Sequence, residues 1–142
     1  MENRKKPCKE CPFRRDNTLP KDGKPGGSPV MTYVGQIVGP FWLPCHSDKN
    51  YAGKRSDTNK VSQCAGAAIY RTNIGVDKKM PEGIFLLPKD EELVFKNHGE
   101  FINHFIPNVK VEDANKVIKE FNLEEYHLKL EMENVNVKKL KL

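Results

Sequence analysis

The feature that most constrains this chain is the placement of its four cysteines. They lie at Cys8, Cys11, Cys45 and Cys64, a C-x2-C-x33-C-x18-C spacing, so all of them fall in the N-terminal half. Cys8-Lys9-Glu10-Cys11 is a CxxC knuckle, and two intervening residues turn the backbone enough to aim both thiolates at one metal ion. Cys45 lies in Phe41-Trp42-Leu43-Pro44-Cys45-His46, and Cys64 in Gln63-Cys64-Ala65-Gly66-Ala67-Ala68. A fold that carries these two sulfurs to the knuckle completes a four-cysteine site. The expected ligands are Cys8, Cys11, Cys45 and Cys64, and the expected metal is Zn2+. The long gaps match no zinc-finger spacing, and four cysteines also suit a [4Fe–4S] cube, the rival cofactor. The Cys11-Pro12 dipeptide, the aromatic wall before Cys45 and the Gly/Ala-rich stretch after Cys64 all favour that rival.

Side chains around the ligands are legible too. Neighbouring residues point apart, so His46 is expected to donate a hydrogen bond near the site or to anchor its loop rather than to ligate. Phe41 and Trp42 are expected to form its dry wall, which sets solvent access and local dielectric. His98, His104 and His127 lack ligand spacing.

The remaining composition supports the metal reading. A chain of 142 residues with 37% apolar and 30% charged residues reads as one domain, 1–142, with a modest core. A metal then adds folding free energy, on the order of 10 kcal/mol in small zinc peptides. The start, Met1-Glu2-Asn3-Arg4-Lys5-Lys6, is charged with no apolar segment behind it, and no stretch approaches the ~20 apolar residues of a bilayer span. A cytoplasmic location without membrane attachment is therefore expected, where thiols stay reduced and cysteine clusters bind metal.

Net charge is +5, unevenly spread: residues 1–71 carry 13 Lys/Arg against 6 Asp/Glu, and residues 72–142 carry 11 against 13. The cysteine half is thus the basic half, which suits a polyanionic partner such as nucleic acid. Candidate contacts are Arg14 and Arg15 beside the knuckle and Lys54 and Arg55 before Cys64, together with Arg4, Lys5 and Lys6. Phe13 and Tyr51 are the aromatics available to stack on single strands. The same cations would also offset the formal −2 of a zinc tetrathiolate.

Local patterns predict an α+β fold, with a loop-rich, metal-centred half (1–71) and a supporting half (72–142). Pro, Gly, Asn and Asp from Asn17 to Pro29 mark a loop. Ser28-Pro29 is read as an N-cap with proline at the first helical position, opening a short helix over 30–38 that Gly39-Pro40 ends. A second helix is expected to begin at or just before Cys64, its N-terminal amides favouring the thiolate. Gly99–Ile106 suggests another. Val111–Asn122 is the clearest, with Ala114, Val117, Ile118 and Phe121 at i, i+3, i+4 and i+7. Leu128, Leu130 and Met132, then Val135 and Val137, then Leu140 and Leu142, alternate with polar residues and predict antiparallel strands.

No HExxH, Walker loop, GxSxG or dinucleotide fingerprint is present, and His46-Ser47-Asp48 lacks the glutamate of a deaminase signature. No catalytic residue is assigned. The combination Cys8-x-x-Cys11-Pro12-Phe13-Arg14-Arg15-Asp16, Pro44-Cys45-His46 and Cys64-Ala65-Gly66-Ala67 resembles a group of small phage and bacterial proteins of unknown function, which share CxxCP-[FW]-R, Cys-His and Cys-Ala-Gly. The similarity runs from Cys8 to Ile69. It implies that the same cysteines are metal ligands and implies no activity. The expected function is a non-catalytic zinc-binding accessory or regulatory protein that contacts nucleic acid through its basic half. The alternatives are a [4Fe–4S] redox or sensor protein and a phage-type protein-interaction factor with a structural metal.

Overall fold

Five helices carry the fold in a computed structural model that describes residues 3–52 and 56–133: α1 (Val30–Val38), α2 (Ala65–Asn73), α3 (His98–Phe105), α4 (Ala114–Glu120) and α5 (Leu123–Glu133). Long irregular segments join them, and α1 lies at the centre, touching α2, α3 and α5. No helix among the described residues is long and apolar enough to cross a membrane.

The α+β expectation is corrected. Among the described residues extended pairing takes the form of isolated bridges, such as Arg14 with Val94 and Pro44 with Gln63, and no strand forms. Leu128, Leu130 and Met132 lie on α5, not on a strand. Helical spacing explains the alternation that misled: Leu123, Tyr126 and Leu130 fall at i, i+3 and i+7 and share a face. Leu130 is 3% exposed, whereas Leu128 and Met132, four residues apart, are 60% and 84% exposed on another face. Asn122 opens this helix, its side-chain oxygen accepting from the Glu125 N–H at 3.1 Å. The remaining strand candidates, Val135, Val137, Leu140 and Leu142, lie outside the described residues.

Smaller corrections concern helix ends. α1 spans the expected residues, but Pro29 occupies the cap position and Ser28 does not cap it. The periodic stretch from Val111 divides into a single tight turn over Val111–Asp113 and the shorter α4.

Phe13 ties the knuckle to the helices. Its ring stacks on Phe101 of α3 at 5.2 Å, lies 5.2 Å from Tyr70 of α2 and meets Tyr33 of α1 edge-on at 5.9 Å. Full burial of such a ring contributes ~2–3 kcal/mol, and each aromatic pair roughly 1 kcal/mol more. The backbone beyond it is pinned as well, with Arg15 N–H donating to Leu93 O and Phe95 N–H to Phe13 O. α5 packs on α1 because Gly35 leaves room for the Tyr126 ring, and a Cβ there would stand 2.5 Å from it.

Tyr70, fully buried, has its hydroxyl 2.6 Å from His98 Nδ1, and burial lowers the His98 pKa from 6.5 to about 4. The folded state therefore holds fewer protons than the unfolded chain between these values, so the stability of the neutral imidazole is present above about pH 6.5 and is lost as pH falls towards 4. His98→Gln should flatten the loss of stability between pH 7 and pH 4.5, the wild type losing up to ~3 kcal/mol more. Denaturant melts of both proteins at the two pH values check this.

Candidate metal centre

Three local devices position the four cysteines. The first is the knuckle, where the Cys11 N–H donates to Cys8 O at 3.1 Å and the Arg14 N–H to Cys11 O at 3.0 Å. The second is the short antiparallel bridge. The Cys45 N–H donates to Ser62 O at 2.8 Å, and the Cys64 N–H to Leu43 O at 2.9 Å. Pro44 and Gln63 are the opposed pair between these bonds, so the missing N–H of Pro44 leaves no ladder bond unmade. Because side chains alternate along extended backbone, Cys45 and Cys64 leave the bridge on one face. Asp48 holds the loop after Cys45 by accepting from the Ser62 N–H and hydroxyl, both at 3.0 Å.

The third device is the start of α2. Cys64 is its N-cap, and its Sγ accepts from the Ala67 N–H at 3.4 Å. Gly66 then admits the knuckle: a Cβ at that position would stand 2.2 Å from Cys11 Sγ. With hydrogen there instead, Cys11 Sγ lies 3.7 Å from Cys64 Sγ. The thiols influence one another's pKa pairwise, Cys45 with Cys8, Cys8 with Cys11 and Cys11 with Cys64. Among the described residues, no group of three or more His, Cys, Asp or Glu side chains is closed into a metal-holding arrangement.

The four thiols shift one another: interaction with Cys11 and then Cys45 lowers the Cys8 thiol well below its ordinary value, and Cys11 lowers Cys64. Cys11 is raised beside Cys64 and Cys8, and Cys45 beside Cys8, with burial adding to both. Backbone groups already favour the deprotonated forms, through Phe13 to Cys11, Ser47 to Cys45 and both Gly66 and Ala67 to Cys64.

The other sequence candidates divide. The His46 ring lies 4.7 Å from that of Tyr51 and 6.4 Å from that of Tyr33. Phe41 packs with Leu130 and Tyr126 in a second apolar cluster, 5.1 Å from the His127 ring. Trp42 is buried at 4% exposure. Arg14 pairs with Asp16 and also reaches Pro7 O at 3.4 Å, while Arg15 bonds Glu100 at 2.6 Å and Glu91 O at 2.7 Å. Both guanidiniums thus hold internal partners. Phe13, 1% exposed, offers no stacking surface, and Lys54 and Arg55 lie outside the described residues.

Sequence reasoning missed Arg71. Its side chain is 1% exposed and donates to four backbone carbonyls, those of Gln36, Ile37, Gly39 and Phe41. Nothing in its local sequence, Tyr70-Arg71-Thr72, marks it as different from a surface arginine. Compared with family models, curated proteins and solved structures, the chain matches none of them.

Proposed function

We propose that this is a non-catalytic zinc protein, with Cys8, Cys11, Cys45 and Cys64 as ligands and the metal holding the N-terminal half in register for an accessory or regulatory role. The observation that carries this reading is the 3.7 Å separation of Cys11 and Cys64 Sγ across the notch at Gly66. Thiolates at a zinc–sulfur distance of ~2.3 Å in a tetrahedron lie about 3.8 Å apart. In a [4Fe–4S] cube each thiolate caps a different iron, which spreads the sulfurs to roughly 6 Å. The all-sulfur donor set and the backbone N–H groups aimed at three of the sulfurs support the same ion. Four thiolates on one zinc leave no position for substrate, in keeping with a structural site.

Anaerobic purification and elemental analysis test this. One zinc per chain in a colourless protein is expected, whereas a brown protein with about four irons establishes the cluster in its place. Cys64→Ser should lose stoichiometric zinc and lower the melting temperature by ten degrees or more, given the ~10 kcal/mol scale of structural zinc binding. His46→Ala should keep the zinc. A Cys64→Ser protein with full zinc and an unchanged melt refutes the site.

The regulatory role is proposed to involve a polyanion, on the strength of the basic N-terminal half. Because Arg14 and Arg15 are engaged internally, the contacts fall to Arg4, Lys5 and Lys6, all exposed. Replacing these three by alanine should reduce the salt dependence of nucleic-acid binding by about two to three logarithmic units. Arg15→Ala should leave it unchanged and slightly lower stability. Anisotropy titrations across a salt series check this, and no binding at low salt to any nucleic acid directs the search to a protein partner.

A further inference from the structure

We propose that Cys11 and Cys64 are a modification site, a thiol pair that a hydroperoxide oxidises to a reversible disulfide between the knuckle and α2. The inference shares one sulfur separation with the zinc reading above but needs no metal.

Cys11 Sγ and Cys64 Sγ lie 3.7 Å apart, although the two residues stand 53 positions apart in sequence. Closing that gap to the ~2.05 Å of a disulfide takes about 0.8 Å of movement by each sulfur. Backbone bonds hold both sides of the pair. In the knuckle the Cys11 N–H donates to Cys8 O at 3.1 Å and the Arg14 N–H to Cys11 O at 3.0 Å. On the other side the Cys64 N–H donates to Leu43 O at 2.9 Å, and Cys64 O accepts from the Ala68 N–H at 3.1 Å in the first turn of α2. Gly66 keeps the approach clear, since a Cβ there would stand 2.2 Å from Cys11 Sγ. The entropy of closing this long loop is thus met by folding rather than by the oxidation.

Burial selects the oxidant. Cys11 is 1% exposed and Cys64 7%, so an attacking reagent must be small, and hydrogen peroxide is little larger than water. The thiolate of Cys64, the less enclosed of the two, attacks one oxygen of the peroxide. The O–O bond breaks, Cys64 becomes a sulfenic acid and hydroxide leaves. The Cys11 thiolate then attacks the Cys64 sulfur, forming the S–S bond and expelling a second hydroxide. The two protons given up by the thiols convert both hydroxides to water. Two thiols lose two electrons in all, and one peroxide is reduced to two waters. Where zinc occupies the site, it loses two of its four ligands.

The test treats the full chain with equimolar hydrogen peroxide, once as purified and once after chelation, and maps disulfides by mass spectrometry of non-reduced digests. The expected first product is a Cys11–Cys64 disulfide, with free thiols falling from four to two per chain and dithiothreitol restoring them. In urea, where proximity along the chain decides, the product should shift to Cys8–Cys11. A first disulfide of any other pairing without urea, sulfinic acid in place of a disulfide, or no reaction at any cysteine in either sample overturns the proposal. Elemental analysis of the same protein reads the metal separately. Zinc together with another pairing leaves the zinc reading standing and sinks this one, and a Cys11–Cys64 disulfide in protein that never held zinc does the reverse.

Discussion

With zinc at the proposed four-cysteine site, Gly66→Ala is expected to weaken its binding by about 100-fold and to destabilise the protein, although the same change at an open helical position stabilises by roughly 1 kcal/mol. The sign is reversed by one contact. The new Cβ would stand 2.2 Å from Cys11 Sγ and 3.3 Å from the Phe13 Cβ. Neither neighbour can yield cheaply. Cys11 is tied into the knuckle by backbone hydrogen bonds on both sides, and Phe13 is wedged among three aromatic rings. The relief is a shift of the Cys11 sulfur by more than 1 Å, which is large against the ±0.2 Å tolerance of a metal–ligand bond. Gly35→Ala is the control. Its Cβ would meet the Tyr126 ring at 2.5 Å, so it should cost stability by loosening α5 while leaving zinc affinity intact. Chelator competition and thermal melts on the two variants separate the effects. Wild-type zinc affinity in Gly66→Ala would show that Cys11 is not held against α2 as described.

The contrast between these glycines shows what could be read from the sequence. The small residues after Cys64 stood out in the sequence, and the atom that comes close at Gly66 is Cys11 Sγ. Cys64 at the head of α2 was legible because a cap position and a run of alanines are local properties. The α5 error has a local origin too: alternation over Leu128, Leu130 and Met132 satisfies a period of two, and the deciding contact is Tyr126 against α1, ninety residues away. Phe41 packs against α5, a contact with residues some ninety positions away that its local sequence does not show. The internal partners of Arg15 come from residues 91 and 100, which no reading of the knuckle alone could supply.

Arg71→Leu is expected to destabilise the protein by ~3–5 kcal/mol, a large part of the 5–15 kcal/mol typical of a domain. The last turn of α1 has no basic residue of its own, and the carbonyls at its end would be left without donors. Arg71 reaches them from α2: Nε donates to Ile37 O at 3.0 Å, and Nη2 to Gln36 O at 3.1 Å, Gly39 O at 3.2 Å and Phe41 O at 2.7 Å. One planar group thus closes a helix end and fixes the entry of the segment that leads to Cys45. Its charge also sits at the negative end of the helix dipole. Burial lowers its pKa to about 10, so it remains a cation at neutral pH. Leucine matches part of the volume but supplies no donor, leaving several buried carbonyls unpaired. Arg71→Lys should recover less than half of the loss, because a point charge on a flexible stem cannot span four carbonyls as the guanidinium fork does. Denaturant midpoints measure the cost. Hydrogen exchange should show the loosening concentrated in the last turn of α1 and in residues 39–45, while zinc stoichiometry at saturating metal is retained. A loss below 1 kcal/mol for Arg71→Leu would mean that the α1 carbonyls find other donors and that Arg71 does not organise this junction.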